Sequence, residues 1–232
     1  MDEKIEESCR QSLKDIQLFA NMKMDEIEEL LRHAGAFTHT YRRGEYVLLD
    51  KDRAHCICVV LSGIIHMVKE NSSGHEALLM YLKTGQIFGE TFVFRSEQIS
   101  HVSFRAARSS QIMFVPFHEI QAVTEHVRLS HIVFARNVYE QICDKNYHLM
   151  MKLETISMES LREKILSYLR IEADRAGSDT FTLPLNRTEM AQFLCSNRSS
   201  LSRELAALKS EGIIDFHGNE FTLKFRRRMA ET

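Results

Sequence analysis

The first half of the chain alternates between short apolar and polar runs. From residue 36 to residue 116 glycines separate these runs, which predicts an antiparallel β-domain of six or more strands. Strands at this spacing favour a barrel or roll, which also hides the sheet edges. Before the roll, the spacing of Ile27, Leu30 and Leu31 predicts a helix over Met24–His33. The expected strands are residues 46–49, 56–61, 64–68, 77–82, 102–106 and 112–115, with the clearest hairpin turn at 71–74.

A long segment without a helix-breaking proline, residues 118–156, carries a second pattern. Its apolar residues recur at alternating spacings of three and four, the heptad pattern of a coiled coil, and Asn146 occupies one core position. A single polar core residue fixes register and a two-stranded state, so the pattern predicts a parallel homodimer. The alternative is a helix whose apolar stripe packs on the roll of its own chain. The seam residues are Ile132, Ala135, Tyr139, Ile142, Leu149, Leu153 and Ile156.

Two short amphipathic helices, joined by the polar turn 195–197, make up the third pattern. Asn186 is predicted to cap the first helix, with Glu189 as its capping-box partner. Gly212 is expected to end the second helix, and residues 213–223 predict a β-hairpin. The apolar faces are Met190, Phe193 and Leu194 in the first helix and Leu201, Leu205 and Leu208 in the second.

The outward face of the second helix is rich in arginine and serine. Arginine can give two parallel hydrogen bonds to guanine, so this face predicts a helix that enters the DNA major groove. The alternative is an ordinary helical hairpin packed on a small sheet. Charge favours DNA only locally: residues 187–228 hold eight basic and five acidic residues, whereas the whole chain has a net charge of −2. The outward residues are Arg198, Ser199, Ser202, Arg203 and Lys209.

Length and composition narrow the class of protein. A chain of 232 residues with 44% hydrophobic content predicts two domains, each with its own core. No apolar run reaches the ~20 residues that span a bilayer, and the N-terminus is acidic, so a cytoplasmic protein without membrane contact is expected. Five cysteines in such a chain are expected to be reduced thiols. No nucleophile elbow, P-loop or paired metal-ligand helix is present, so the sequence does not predict an enzyme.

The order of roll, long helix and winged helix-turn-helix resembles the Crp/Fnr family of bacterial transcription regulators. The resemblance is carried by Gly63, by residues 74–79 and 85–90, and by residues 197–203. It implies a ligand-gated homodimer that binds promoter double-stranded DNA and recruits or blocks RNA polymerase. The expected fold class is α+β: a double-stranded β-helix or jelly-roll-like effector domain over residues 1–117, a dimerisation helix over 118–156, and a winged helix-turn-helix domain over 157–232.

The same resemblance assigns the DNA contacts. Arg187 and Asn197 match positions that touch phosphate, while Arg198 and Arg203 match arginines of the DNA-reading helix. Ser199 stands where a base-reading glutamate is usual, so the operator is expected to differ from familiar half-sites. The expected DNA-binding residues are Arg187, Asn197, Arg198, Ser199, Ser200, Ser202 and Arg203.

The effector site departs from the cyclic-AMP-binding members of that family. Gly89-Glu90 matches the start of their phosphate-binding segment, but Ser100-His101 replaces their Arg-Ser pair. A buried phosphate would lose its bidentate partner, because Arg95 lies in a loop and Arg105 faces outward if Phe104 faces inward. We therefore do not expect cyclic AMP as the effector. The expected pocket residues are Phe88, Gly89, Glu90, Thr91, Phe92, Ser100, His101 and Asn146, with Phe94 and Phe104 as further aromatic candidates.

The cysteines do not identify a cofactor. An iron–sulfur cluster is not expected, because four thiolates are needed and Cys9 stands alone near the start. Cys56 and Cys58 share one side of a strand; burial in the core is favoured over a thiol redox sensor or a metal site with His55 or His66. Haem stays open, since histidines and cysteines are plentiful and none is distinguished.

The expected mechanism is a population shift. An effector in the roll, touching the long helix near residues 145–149, moves the DNA-binding domains about a hinge at 155–159. In a dimer the two recognition helices would lie about 34 Å apart, which requires a near-palindromic operator. The alternative function is a regulatory protein that uses the same roll to control a partner protein.

Overall fold

The structure is a computed structural model that describes residues 13–70, 76–117 and 129–224. Contacts divide the chain into two compact units, Met1–Asn146 and Tyr147–Thr232. The predicted turn at 71–74, the predicted helix before Leu129 and Cys9 lie outside the described residues.

The first unit contains a roll made of two four-stranded antiparallel sheets. One sheet has the order β1-β8-β3-β6 and the other β2-β7-β4-β5. The core between them is formed by inward-facing residues of both sheets, among them Val60, Ile65, Phe88 and Phe104. The strands are β1 (Phe37–Tyr41), β2 (Tyr46–Leu48), β3 (Cys56–Ser62), β4 (Ile64–Glu70), β5 (Glu76–Lys83), β6 (Ile87–Phe88), β7 (Ser103–Ala106) and β8 (Ser110–Pro116).

Helices cover the outer face of the first sheet. Helix α1 (Met24–His33) and the beginning of the long helix α3 (Leu129–Ile156) enclose a second core with Ile57, Val59 and Val115, because neighbouring strand residues point to opposite faces. A single 3-10 turn, Gln17–Phe19, precedes α1. A short helix, α2 (Glu90–Val93), follows β6.

The second unit is a winged helix-turn-helix domain. Helices α5 (Arg187–Phe193) and α6 (Arg198–Ser210) are followed by the hairpin β10 (Ile214–His217) and β11 (Glu220–Leu223). A third strand, β9 (Thr180–Thr182), pairs with β11. Helix α4 (Leu161–Ala176) packs Tyr168 against Phe193 of α5, with ring centroids 5.1 Å apart.

The predicted fold class is confirmed, and so is the helix Met24–His33. Two strands of the roll, β1 and β6, were not separately predicted, and neither were α4 and β9. The start of α4 carries a readable signal, because Ser160 and Glu163 form a reciprocal capping box.

Gly63 joins β3 to β4 at a point where only glycine fits. Its φ is +91°, and a Cβ there would collide with the backbone and side chain of Ser110. The Ser110 hydroxyl in turn accepts a 3.1 Å hydrogen bond from the Ile64 N–H. This glycine therefore fixes the closest approach between the β3–β4 turn and β8.

Candidate nucleic-acid interface and effector site

Helix α6 presents the polar face that the sequence predicted. Arg198, Ser199, Ser202 and Arg203 are exposed, while Ser200 is half-buried. The opposite face is fully buried through Leu201, Leu205 and Leu208. The exposed face can therefore approach a DNA groove without disturbing the core of the domain.

Both helices of the motif begin at asparagine caps. The Asn186 side chain accepts hydrogen bonds from the N–H groups of Thr188 and Glu189, at 2.9 and 3.0 Å. At the second helix, Asn197 Oδ1 accepts from the Ser200 N–H and from the Ser199 hydroxyl, both at 2.8 Å. The Asn197 side chain thus stabilises the start of α6.

Helix α6 ends in a Schellman motif. The Gly212 N–H donates to the Lys209 carbonyl and the Ile213 N–H to the Leu208 carbonyl, both at 3.0 Å. Gly212 has φ +73°, in agreement with the predicted role of this glycine as the helix stop.

Arg187 lies against the wing. Its guanidinium is 4.9 Å from the ring centroid of Phe216 and 4.6 Å from that of Phe221. Nη2 donates a 2.6 Å hydrogen bond to the carbonyl of Gly218 at the hairpin turn. Nη1 is buried, with no hydrogen-bond partner within the described part of the chain. The side chain therefore ties the start of α5 to the wing, and burial lowers its pKa.

The wing is also bonded to the end of α6. Lys209 Nζ lies 2.7 Å from a carboxylate oxygen of Asp215 and donates to the carbonyl of Phe216 at 2.9 Å. Lys224 Nζ lies 3.3 Å from the other Asp215 oxygen. These two cations and the Phe216 N–H lower the pKa of Asp215 to about 2. Lys209, which was expected on the outward face of α6, thus also contacts the wing.

The predicted effector residues divide into two groups in the roll. Phe88 and Phe92 both pack on Phe104, with centroid distances of 4.6 and 6.4 Å, and His101 lies 6.3 Å from Phe92. Phe94 is 54% exposed and packs on Phe117 instead, so it does not join this cluster.

The second group is centred on Glu90, the first residue of α2. Gly89 has φ +86°, and a Cβ there would lie 2.9 Å from the Cys56 carbonyl oxygen, so the chain can turn into α2 only with glycine. The Glu90 carboxylate accepts hydrogen bonds from the Thr91 hydroxyl at 3.0 Å and from Lys145 Nζ at 2.6 Å. Asn146, also predicted in the pocket, is exposed.

Lys145 was not among the predicted site residues, although the effector contact was expected from its part of the helix. The sequence feature that could have identified Lys145 is its spacing from other polar residues of the helix. Asn137, Gln141 and Lys145 recur every four residues and form a polar row beside the apolar seam of α3.

The residues around Glu90 do not fit a cyclic phosphate. Ser100 is buried and its hydroxyl donates to the Val102 carbonyl at 2.6 Å, while the His101 side chain is exposed. Arg105 faces away from inward-facing Phe104 and is paired with Glu76 at 2.5 Å. Arg95 is exposed and lies 3.9 Å from Glu97, so neither arginine takes the place of the missing one.

The two units match two different domain families. Residues 38–126 match the cyclic nucleotide-binding domain family, and residues 163–232 match the Crp-like helix-turn-helix domain family. The chain belongs to the Crp/Fnr family of transcription regulators. With an effector domain and a helix-turn-helix domain in one chain, this Crp/Fnr regulator is an effector-responsive, DNA-binding transcriptional regulator.

Individual relatives are distant in sequence but cover most of this Crp/Fnr regulator. The transcriptional activator protein FnrL of Cereibacter sphaeroides is 24% identical over 201 residues, which are 81% of this chain and 76% of that protein. The cyclic AMP receptor protein of Thermus thermophilus is 21% identical over 202 residues, 87% of this chain and 89% of that protein. The structure of FixK2 from Bradyrhizobium japonicum has a TM-score of 0.68 at 19% identity, covering 83% of this chain and 94% of that one.

The thiols of this Crp/Fnr regulator form no metal cluster in the described residues. Within these ranges no group of three or more histidine, cysteine, aspartate or glutamate side chains could hold a metal ion. Cys56 and Cys58 pack toward the same core, as strand alternation predicted, and burial raises the pKa of the Cys58 thiol well above its usual value. Over the same residues, no helix is long and apolar enough to cross a membrane.

Helix α3 carries two separate stripes. Phe134, Val138 and Gln141 are buried against the roll. The predicted heptad seam lies on a different face, where the large apolar side chains are exposed: Ile132 by 54%, Tyr139 by 67%, Leu149 by 39% and Leu153 by 63%. One further seam residue, Ile142, is partly buried and packs on the core between the roll and α3, so part of the seam contacts the roll while these four side chains are exposed.

Proposed function

We propose that this Crp/Fnr regulator acts as a homodimer that binds promoter DNA. In the dimer, two copies of α3 pair along the exposed heptad stripe, and each copy of α6 enters a major groove. The observation that carries this proposal is the exposure of Tyr139, Leu149 and Leu153 at heptad spacing. An apolar row of this length on one helix face is typical of a coiled-coil seam.

The operator follows from this symmetry. Two recognition helices related by a two-fold axis require half-sites about 34–36 Å apart, arranged as a near-palindrome. Arg198 and Arg203 read base edges, while Ser199 and Ser202 reach bases or phosphates from the same exposed face. Because Ser199 cannot select cytosine as strictly as a glutamate would, the half-site differs from those of relatives that carry the acid.

Regulation is by a population shift. A small molecule or a redox signal in the roll changes the balance between two states of the dimer, one of which places both α6 helices in register with DNA. The hinge is the segment 155–159, most of which lies in the break between the end of α3 at Ile156 and the start of α4 at Leu161. The bound dimer then recruits or blocks RNA polymerase.

Selection from random double-stranded DNA tests the proposal. The expected result is an enriched, two-fold symmetric site whose complex contains two protein chains by native mass measurement. A complex with one chain would overturn the dimer. No enrichment from an intact dimer would overturn DNA reading and would favour the action of the roll on a partner protein.

A further inference from the structure

A buried ion pair connects the effector roll to the long helix within the first unit. Lys145 Nζ of α3 lies 2.6 Å from Glu90 Oε1 of α2. The two side chains are only 14% and 2% exposed. The ion pair of Lys69 and Asp50 in the same roll is more exposed, with side-chain exposures of 43% and 33%.

Because both side chains are buried, removing either partner of this ion pair is expected to be strongly unfavourable. Burial lowers the pKa of Lys145, and Glu90 opposes that shift by stabilising the ammonium. The nearby Cys58 is a buried thiol whose raised pKa keeps it neutral, so it does not compete for Lys145. When one member of a buried pair loses its partner, an uncompensated charge is left in a medium of low dielectric constant, which is strongly unfavourable.

Within the described residues, the pair lies on the same row of α3 as two other polar contacts with the first unit, and near an exposed hydrogen bond from Gln17 to Asp144 at 3.4 Å. One helical turn apart, Asn137 donates to the carbonyls of Leu18 and Ala20, at 2.9 and 2.8 Å. Gln141 accepts from the Ile87 N–H at 3.0 Å and donates to a backbone carbonyl of the same segment at 3.3 Å. The first unit ends at Asn146, directly after Lys145.

Among these contacts of the described residues, the Lys145 contact is the ion pair, whose members a polar ligand can separate. Glu90 Oε2 is buried and has no hydrogen-bond partner among the described residues, although Oε1 accepts two. A carboxylate that is half satisfied gains from any further donor that reaches it. The site is therefore prepared to exchange its internal cation for a donor on an effector.

We propose that the Glu90–Lys145 ion pair is an internal latch that holds α3 on the roll in the effector-free state, and that the effector acts by displacing the Lys145 ammonium from Glu90. Release of Lys145 frees the last residues of α3 that belong to the first unit, directly before the helix continues into the second unit at Tyr147. This inference rests on the proposed function, since it specifies how the effector site regulates DNA binding.

Two single variants test the latch without any ligand. Lys145→Met leaves Glu90 unpaired, and Glu90→Gln keeps the size of the side chain but removes its charge. In both, hydrogen–deuterium exchange across residues 138–146 of the DNA-free protein is expected to be about tenfold faster or more. Affinity for the selected operator, measured without effector, is expected to rise about fivefold or more while the dimer mass stays unchanged.

Lys69→Met is the matched control, because it removes the same charge from an exposed ion pair of the roll. It is expected to leave exchange across residues 138–146 and operator affinity unchanged. The latch is overturned if the two test variants behave like this control, or if their operator affinity falls. The exchange measurement needs no DNA. A protein that bound no operator would therefore contradict the proposed function, while the exchange result would still test the latch.

Discussion

Arg187 and Arg203 belong to the same small domain, but their side chains lie in different surroundings. Arg203 is exposed on α6 and donates to the Ser200 hydroxyl at 3.2 Å, a contact it can exchange for DNA. Arg187 is held between two phenyl rings and a backbone carbonyl of the wing. Replacing each arginine with alanine should therefore have different effects on DNA binding and on the stability of the domain.

Arg203→Ala is expected to reduce specific binding by ~1–3 kcal/mol and to relax base preference at one operator position, because a bidentate base contact is lost. Fluorescence anisotropy with the selected operator and with random DNA measures the difference. Equal losses on both DNAs would contradict a base-reading role.

Arg187→Ala is expected to weaken binding to all DNA sequences alike and to destabilise the domain by about 1–2 kcal/mol, because two cation–π contacts and one hydrogen bond are lost. Amide exchange in the hairpin, measured without DNA, should accelerate. Arg187→Lys should not restore protection, because an ammonium cannot stack as a guanidinium does. Arg198→Ala, at an exposed position of α6, is the control. If the hairpin amides of Arg187→Ala are as protected from exchange as those of Arg198→Ala, a phosphate contact would explain the weaker DNA binding better than the loss of wing packing.

Asp215 gives the wing a pH dependence at low pH. Its pKa in the folded chain, about 2, lies below the unfolded value of about 3.9, so the carboxylate stabilises the wing above the unfolded pKa. That contribution is lost as the pH falls from about 4 through about 2. The protection factors of the wing amides, which are corrected for the intrinsic pH dependence of exchange, should fall over this range, and Asp215→Asn should flatten the dependence. Glu220→Gln on the same hairpin is the control; an unchanged profile in Asp215→Asn would contradict the assignment.

Among the elements, α3 carries apolar side chains on two faces. Its buried stripe faces the roll through Phe134 and Val138, and its exposed stripe runs from Ile132 to Leu153 on another face. Heptad spacing alone could not distinguish these two uses, because either stripe gives apolar residues three and four positions apart. The burial of each stripe decides between them.

Leu153→Glu is expected to convert the dimer to a monomer and to abolish operator binding, because a charge at a core seam position opposes its own copy in a parallel pair. Sedimentation velocity measures the mass. Leu49→Glu, at a residue of the roll that is 46% exposed, is the control and should remain dimeric. A dimeric Leu153→Glu protein would contradict the seam.

At the scale of the whole molecule, binding and mass measurements identify the effector. Cyclic AMP is expected to give no binding heat with the purified protein, because no arginine takes the phosphate position in the described residues. Stoichiometric binding of cyclic AMP would contradict this. An absorbance spectrum and native mass of freshly purified protein complete the test: a band or extra mass identifies a bound haem, metal or organic effector, and a clean dimer mass directs the search to exchangeable metabolites or thiol oxidation.

The sequence by itself determined the local elements of this protein. The cap at Asn186, the helix stop at Gly212 and the apolar faces of α5 and α6 were all predicted, because each depends on residues a few positions apart, whereas the cap at Asn197 was not predicted. The roll was predicted as a class, although its short strands β1 and β6 were not, since strands of five and two residues carry too little periodicity.

Only the tertiary structure decided which side chains meet across the chain. Glu90 and Lys145 are 55 positions apart, and Arg187 and Gly218 are 31 apart, so no local spacing relates them. Packing also adds contacts that the sequence did not predict: Arg187 packs on the wing, and exposed Phe94 is separated from the aromatic cluster of Phe88. Such contacts depend on how whole elements pack, and the free energy of burying a charge is set by that packing.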